Sequence, residues 1–452
     1  MELIFLTLAI LAIFGIGLSF AKGTMLSVSE GHYSIWAFLF YKEVVLIFSP
    51  IVLLAIYSVD NFHVLKMVKQ DLVFTISLWV VFSFAAYFFL YILLLRLIFR
   101  SNLLFVERDE LFDRVNERKI YLFSIAAISS GLILLSCSIL FLGYEHAFLA
   151  SIIMGKNVLH VRLENVYASS LPTQISYVIS VSYWVSAIFA AYLLLSRNKL
   201  GFLLVFSIGM ILASAGGAKA PVVQYIMLFV MAYVYISRPR ISVFKVLFYL
   251  PLYMILLLTL IYYVVSLQVP DLDLLRFLKY LFDRLGIGQM AGVYETLSIG
   301  FQSYEYGWHM IPFASFFVDY PVFSKELMLF TEKREFSDTG VKNSLFIAEA
   351  FGIGGTILMV VSPFVMAFAY LIKGFLLFYS LRCLFGSIVT RVYFMPIFFL
   401  STSLTGDFSS FVFQKGTILL LLVLGLFYLV KLVVQPFVLN RSNVFVATVP
   451  KS

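Results

Sequence analysis

Long apolar runs separated by short polar stretches follow one another along almost the whole chain. A helix needs roughly 20 apolar residues to cross a bilayer, so each run predicts a membrane span. We assign spans to 2–21, 34–58, 72–99, 120–143, 177–196, 200–215, 220–236, 247–267, 347–372, 392–404 and 416–435. The pattern therefore predicts an all-α polytopic integral membrane protein, with 1–452 forming one transmembrane domain of about 11 spans and a range of about 10–12.

The junction between 200–215 and 220–236 has two interpretations. Its sequence is Gly-Gly-Ala-Lys-Ala-Pro at 216–221. Gly and Pro interrupt helical hydrogen bonding there, and backbone N–H and C=O groups without a partner cannot face lipid. One interpretation is two spans joined by a tight turn, and the other is a single broken segment.

Composition narrows the class of protein. Of the 452 residues, 62% are hydrophobic and only 12% are charged, about half the charge of a soluble domain. A soluble fold could not cover so much apolar surface with so few polar residues. A soluble enzyme, a disordered regulator and a fibrous protein are therefore excluded, and a membrane protein remains.

The distribution of basic residues indicates how the protein is oriented in the membrane. Lysine and arginine concentrate in 96–119, 197–199 and 238–245, which share one side of the membrane under the eleven-span assignment. The positive-inside rule places that side in the cytoplasm, with the N-terminus outside and the C-terminus inside. The net charge of +8 thus indicates topology rather than nucleic-acid binding. Lys66 and Lys69 are exceptions to this rule, because the eleven-span assignment places them on the outer side of the membrane.

Two outer loops are long enough to carry chemistry. Residues 268–346 form a large loop before the ninth span, and 144–176 form a smaller one. The large loop is too rich in aromatic residues for a disordered spacer, so we expect it to be folded. No nucleotide-binding loop and no zinc motif occurs, so we expect neither a cofactor nor a metal.

Several cations in or near these loops could bind an anion. Lys219 lies at the Gly-Gly break and Arg284 precedes a glycine-rich turn, and both suit a phosphate group. Arg162 in the smaller loop could join them. The competing interpretations are a tight turn with Lys219 reaching the headgroups, and a surface helix on which Arg284 pairs with Asp283. Apolar residues at helical spacing over 274–285 could also form an interfacial helix.

Aromatic and acidic residues complete the candidate site. Tyr304, Trp308 and His309 could hold a sugar ring, although Trp and Tyr also populate the membrane interface. Glu349, near the start of the ninth span, is an intramembrane carboxylate that could act as a general base. Asp338 is a second candidate, in a charged run that also contains Lys342. For Glu349 the competing role is to favour the helix N-terminus.

Four patches in this architecture resemble the bacterial O-antigen polymerases, the Wzy family, whose relatives include the enterobacterial common antigen polymerase. They are SAGGAKAP at 214–221, YLFDRLGIGQ at 280–289, YEYGW at 304–308 and KNSLFIAEAFGIGG at 342–355. In the last patch a loop Asn, Asn343, precedes a helix that ends in Gly-Gly. The chain departs from the family pattern in two places. Lys219 stands where the family often has Arg, and Glu295 stands where an Arg-x10-Gly pattern would place Gly.

The resemblance implies an enzyme of lipopolysaccharide or related polysaccharide biosynthesis in the bacterial inner membrane. Such a glycosyltransferase moves a growing glycan from undecaprenyl diphosphate to an incoming lipid-linked oligosaccharide repeat unit on the periplasmic side, and an inner-membrane chain-length regulator is a possible partner. Lys219, Arg284, Arg162 and Lys342 would bind the diphosphate. Glu349 or Asp338 would serve as base, and Tyr304, Trp308, His309 and Asn343 would hold sugar. The alternatives are an O-antigen ligase, for which His309 would be the relevant residue, and a flippase or transporter that performs no chemistry.

Overall fold

The computed structural model describes most of the first 394 residues. Its described residues are 2–22, 24, 26–27, 35–98, 108–156, 160–161, 171–217, 219–237, 273–281, 283, 286–311, 314, 317–319, 321–332, 344–394 and 408–409, together with 259, 262 and 425. All of these residues lie in helices, turns or irregular segments, and none of them forms a strand.

The helices are labelled here in chain order. They are α1 (Glu2–Phe20), α2 (Ile35–Ile56), α3 (Val73–Ile98), α4 (Arg114–Phe141), α5 (Ala147–Met154), α6 (Thr173–Leu195), α7 (Lys199–Ser214), α8 (Lys219–Ser237), α9 (Leu274–Leu281), α10 (Ala291–Ile299), α11 (Phe323–Glu332) and α12 (Phe346–Phe385). Short helical turns occur at Arg108–Leu111, Ser387–Val389 and Thr390–Phe394. Turns of 3-10 helix occur at Val59–Asn61, Gln70–Leu72, Ile287–Gln289 and Tyr304–Met310.

The helices that form are those of a multi-pass membrane protein. Among the described residues, four helices are long and apolar enough to cross a membrane, at Gln70–Leu97, Arg114–Phe141, Ile175–Leu195 and Phe346–Phe385. Several shorter apolar helices accompany them. The first seven predicted spans each coincide with a helix, α1 to α4 and α6 to α8, and the ninth, 347–372, lies within α12. The count of eleven stays a prediction, because 247–267, 392–404 and 416–435 fall largely outside the described residues.

The junction at 216–221 joins two helices that fold back on each other. Ring contacts pair Phe202 with Phe229 and Phe206 with Tyr225, so residue numbers rise on α7 as they fall on α8. Gly217 turns the chain with a φ of 68°, a conformation that favours glycine. The pair is thus an antiparallel hairpin, and the interpretation as one broken segment is wrong.

Helix α6 lies between α4, α7 and α8, and small residues bring these helices close together. The Oγ of Ser182 donates to the carbonyl of Ala127 on α4 at 2.7 Å. A Cβ placed on Gly131 would lie 2.4 Å from the Ser182 side chain, and one on Gly209 would lie 2.1 Å from Ser186 Oγ. Small residues at helix contacts are typical of membrane bundles, where close backbone approach replaces the hydrophobic effect as the source of attraction.

Helix α12 bends sharply within its first three turns. Gly354 and Gly355 leave helical geometry, and Gly355 has φ 62° and ψ −155°, which a residue with a side chain rarely adopts. Beyond the bend, one face of the helix is exposed and apolar: Ile357, Val361, Phe364, Phe368, Ile372 and Leu376. The opposite face is buried and contains Met366, Tyr370 and Lys373. The exposed stripe is therefore the surface available to lipid.

Contacts between distant segments define two ends of the bundle. At one end, the backbone of 58–72 is bonded to α10, because Lys66 N–H donates to Glu295 and Lys69 N–H donates to Ser298. We call this the loop-bearing end. At the opposite end, Arg96 donates to the carbonyl of Lys22. Glu110 also pairs there with Arg391, beyond the C-terminus of α12.

The close approach at Gly209 can be tested by adding one methyl group. We expect Gly209→Ala to lower the free energy of unfolding by ~1–3 kcal/mol, because the new Cβ meets Ser186 and the Tyr225 hydroxyl at 2.4 Å. Thermal unfolding of the purified protein in detergent micelles measures the change. Gly15→Ala on α1 is the control, since no heavy atom lies within 4 Å of its added Cβ. Equal stability of both variants would contradict the packing described.

Candidate functional site

The structure describes five of the ten predicted site residues, at least in their backbone. Glu349 lies in the first turn of α12, Lys219 is the first residue of α8, and Tyr304, Trp308 and His309 lie in one 3-10 turn. The other five lie outside the described residues: Arg162, Arg284, Asp338, Lys342 and Asn343. The diphosphate-binding set and the alternative base thus stay predictions.

Glu349 is a buried carboxylate whose two oxygens both accept hydrogen bonds from Ser409. The Ser409 N–H donates to Oε2 at 2.6 Å and the Ser409 hydroxyl donates to Oε1 at 2.6 Å. Both residues are 1% exposed. Hydrogen bonds to charged groups are among the stronger ones, so this pair ties the segment at 408–409 to the start of α12.

Helix α12 begins inside the bundle rather than at its surface. The ring of Phe346 lies 6.2 Å from that of Tyr87, fourteen residues into α3 and thus about 21 Å along its axis. Residues 344–350 are buried without exception. Irregular backbone and a carboxylate at such depth are tolerated in membrane proteins where protein surrounds them, and they usually mark function.

The outer part of α12 is held in place by the segment that follows α10. Ser303 N–H donates to the carbonyl of Gly352 at 2.9 Å, and the ring of Phe323 packs where a Cβ on Gly352 would lie. A Cβ on Gly355 would come within 3.7 Å of the Gln302 side chain. The bend at Gly354 and Gly355 thus sits against the same chain segment that carries Tyr304 and Trp308.

Tyr304 and Trp308 present their rings to the outside of the protein. Tyr304 is 82% exposed and Trp308 is 42% exposed. Between them, Tyr306 points inward and packs edge-on against Phe323 at 5.4 Å. Burial raises the pKa of Tyr306 to about 12, and the nearby carboxylates of Glu326 and Glu305 add to the shift. Tyr306 therefore anchors the turn, and its two exposed neighbours are free to stack on a ring from solution.

A second buried carboxylate, Glu295, was not among the predicted site residues. It lies in α10 with 0% exposure, and its Oε1 accepts the backbone N–H of Lys66 at 2.9 Å. The Lys66 ammonium pairs instead with Glu332 on α11 at 3.2 Å. Both the backbone and the side chain of Lys66 thus have partners in the large loop. These two contacts hold Lys66 at the loop-bearing end. The sequence signal was an acid within the apolar stretch MAGVYETLSIG.

Lys373 is another buried ionisable residue that is not among the predicted site residues. It lies on the buried face of α12, 7% exposed, between Tyr370 and Leu377. A lysine within a long apolar run is costly at membrane depth and usually functional, so the run SPFVMAFAYLIKGFLL carried a signal. Lys373 lies 24 residues after Glu349 on the same bent helix, toward the opposite end.

The turn before Lys219 is fixed by contacts to the segment after α4. Ala147 N–H donates to the carbonyl of Ala215 at 3.1 Å. The Nε2 of His146 lies 2.9 Å from the carbonyl oxygen of Ile211, and its Nδ1 accepts from Leu149 N–H at 3.3 Å. A carbonyl can only accept, so Nε2 carries the proton and the ring is neutral. The first residue of α8 is thereby held at a defined place beside α5.

No protein-family model, curated protein or solved structure matches the chain. Function is therefore inferred from the residues and their geometry. Within the described residues, no group of three or more His, Cys, Asp or Glu side chains is placed to hold a metal ion. What these residues do offer is a buried, hydrogen-bonded carboxylate on α12, one turn before Gly352, which is bonded to the segment that carries two exposed aromatic rings.

Protonation of His146 should loosen the turn before Lys219. Burial lowers the pKa of His146 below 6.5. Its contribution to stability is thus complete above pH 6.5 and is lost as pH falls through the folded-state pKa, by at most about 1.4 kcal/mol per pH unit. We expect the thermal midpoint to fall more between pH 7.5 and 5 in the wild type than in His146→Gln. The control is His63→Gln, which replaces an exposed histidine. A midpoint that falls as much in His146→Gln as in the wild type would contradict this role of His146.

The bond between Glu349 and the Ser409 hydroxyl can be measured by a double-mutant cycle. We expect Glu349→Gln and Ser409→Ala to show a coupling energy of about 1.5–3 kcal/mol in unfolding, the range for a hydrogen bond to a charged group. Ser362→Ala is the matched control, because Ser362 is equally buried on α12 but donates to its own helix at Met359. A coupling no larger than that of the control would show that the hydroxyl bond is absent.

Proposed function

We propose that the protein polymerises lipid-linked oligosaccharide repeat units of O-antigen or a related surface polysaccharide. The single observation that carries the proposal is the buried Glu349 at the start of α12, bonded to Ser409 and joined through Gly352 and Ser303 to the exposed Tyr304 and Trp308. A carboxylate beside a sugar-stacking surface suits transfer to a sugar hydroxyl.

The proposed reaction transfers the growing glycan from undecaprenyl diphosphate to the incoming unit. The bond from the anomeric carbon to the diphosphate oxygen breaks, and a bond to the acceptor hydroxyl oxygen forms. The acceptor proton passes to a base, and the lipid diphosphate leaves with the electron pair. Cations must stabilise the charge that develops on this leaving group, and Lys219, Arg284, Arg162 and Lys342 are the proposed residues.

Glu349 is the first proposed base and Asp338 the second. Because both oxygens of Glu349 accept from Ser409, an acceptor proton would reach the carboxylate through the Ser409 hydroxyl, which can donate one proton while accepting another. Tyr304 and Trp308 would hold sugar rings by stacking. His309 and Asn343 would contribute hydrogen bonds.

The proposed location is the bacterial inner membrane, with the loop-bearing end in the periplasm, the N-terminus outside and the C-terminus inside. Two observations support this choice of side. The large loop is at that end, and the basic residues Arg96 and Arg391 are at the other, which suits the cytoplasm. An inner-membrane chain-length regulator is the proposed protein partner.

The phenotype of a strain that lacks the gene distinguishes this proposal from its alternatives. A polymerase is expected to leave lipopolysaccharide that carries single repeat units, seen as one band on a gel. An O-antigen ligase, in which His309 would be the residue of interest, would leave bare core and no O-antigen. A flippase would leave lipid-linked units on the cytoplasmic face. Either of the last two patterns would contradict polymerisation.

Residue roles are tested by complementing that strain with variants. We expect Lys219→Ala, Arg284→Ala and Glu349→Gln each to shorten or abolish polymer, because each removes a charge that the reaction uses. Gel banding of lipopolysaccharide measures the effect, and immunoblotting of membranes checks insertion. Lys199→Ala is the matched control, since Lys199 also begins an apolar helix but lies at the opposite end of the α7–α8 hairpin. Wild-type banding in all three variants would contradict the proposed site.

A further inference from the structure

Helix α9 (Leu274–Leu281) is a short helix whose two faces differ sharply. Leu274, Leu275 and Leu278 fall on one side, at the i, i+1 and i+4 positions, and are 66%, 78% and 39% exposed. Arg276 and Lys279 fall on the other side and are also exposed. Asp273 caps the N-terminus of the helix, because its Oδ1 accepts a hydrogen bond from the Arg276 N–H at 2.6 Å. The helix therefore combines an apolar face and a basic face, both accessible.

This helix is too short to cross a membrane. Eight residues span about 12 Å, whereas the hydrocarbon core is about 30 Å thick. The side chain of Phe277 is buried, and its ring packs edge-on against Tyr262 at 5.1 Å. Tyr262 belongs to the predicted span 247–267, so α9 contacts a residue of that apolar segment. The predicted span ends five residues after Tyr262, so this contact favours a position of α9 near the membrane interface.

We propose that α9 lies flat in the bilayer interface. Its leucines enter the acyl-chain boundary, while Arg276 and Lys279 reach the phosphate groups of the lipids. Two features favour lipid as the occupant of the apolar face. The segment 247–267, which includes Tyr262, is apolar in sequence, and the opposite face of α9 carries cations that complement the anionic phosphates. The inference concerns membrane contact and holds whatever reaction the protein performs.

If α9 lies in this position, the depth of its side chains in the bilayer alternates between the leucine positions and the basic positions. The test uses full-length protein in which Cys137→Ala and Cys383→Ala remove the two native cysteines. Single substitutions Leu275→Cys, Leu278→Cys, Arg276→Cys and Lys279→Cys then each carry a nitroxide label. The variants are reconstituted in vesicles of phosphatidylethanolamine and phosphatidylglycerol, and collision of each label with oxygen and with a water-soluble nickel complex is measured.

We expect oxygen to dominate at 275 and 278, and the nickel complex to dominate at 276 and 279. Labels that all collide mainly with the nickel complex would place α9 in water and overturn the proposal. Labels at 275 and 278 shielded from both reagents would show that protein covers the face, which overturns it as well. A label at Leu203, an exposed position within the apolar helix α7, gives the reference value for lipid. Because each label replaces an exposed side chain, the fold is expected to tolerate it.

Discussion

A polar group buried in this protein must find its partner within the bundle, because neither lipid nor an apolar core can supply one. Several buried hydroxyl groups of the described helices are satisfied in this way by specific pairs. Ser77 on α3 bonds the Tyr294 hydroxyl on α10 at 2.8 Å, and Ser124 on α4 bonds Tyr393 beyond α12 at 2.8 Å. Apolar contacts could be satisfied in many registers, so pairs such as these select one arrangement of the helices.

The same requirement accounts for the environment of Glu349. The carboxylate lies deep in the bundle, where an unpaired charge would be severely unfavourable, and Ser409 supplies two donors from a single residue. Irregular backbone lies on both sides of Glu349: residues 344–345 precede the helix, and the bend at Gly354–Gly355 follows it and packs beside Gln302, Ser303 and Phe323. A membrane protein accepts such a combination of charge and non-helical backbone where it serves a purpose.

The two ends of the bundle differ in how they are built. At the end opposite the loops, the connection between α6 and α7 is only three residues long. At the loop-bearing end, α10, α11 and the 3-10 turn at Tyr304–Met310 pack over α3 and α12. This layer binds the backbone of Lys66 and Lys69, the two cations whose position ran against the charge rule. The Lys66 ammonium also pairs with Glu332 of α11 in this layer.

By itself, the sequence determined the class of the protein and the position of eight apolar helices, because apolar run length is a local property that the bilayer constrains directly. It also marked Glu349, since a charge in an apolar run stands out. Only the tertiary structure decided which faces are buried. The exposed stripe and the buried face of α12 are both apolar, so no periodicity distinguishes them. Glu295 and Ser409 gain their roles from partners 229 and 60 residues away, Lys66 and Glu349 respectively, and such pairs arise only when the helices pack.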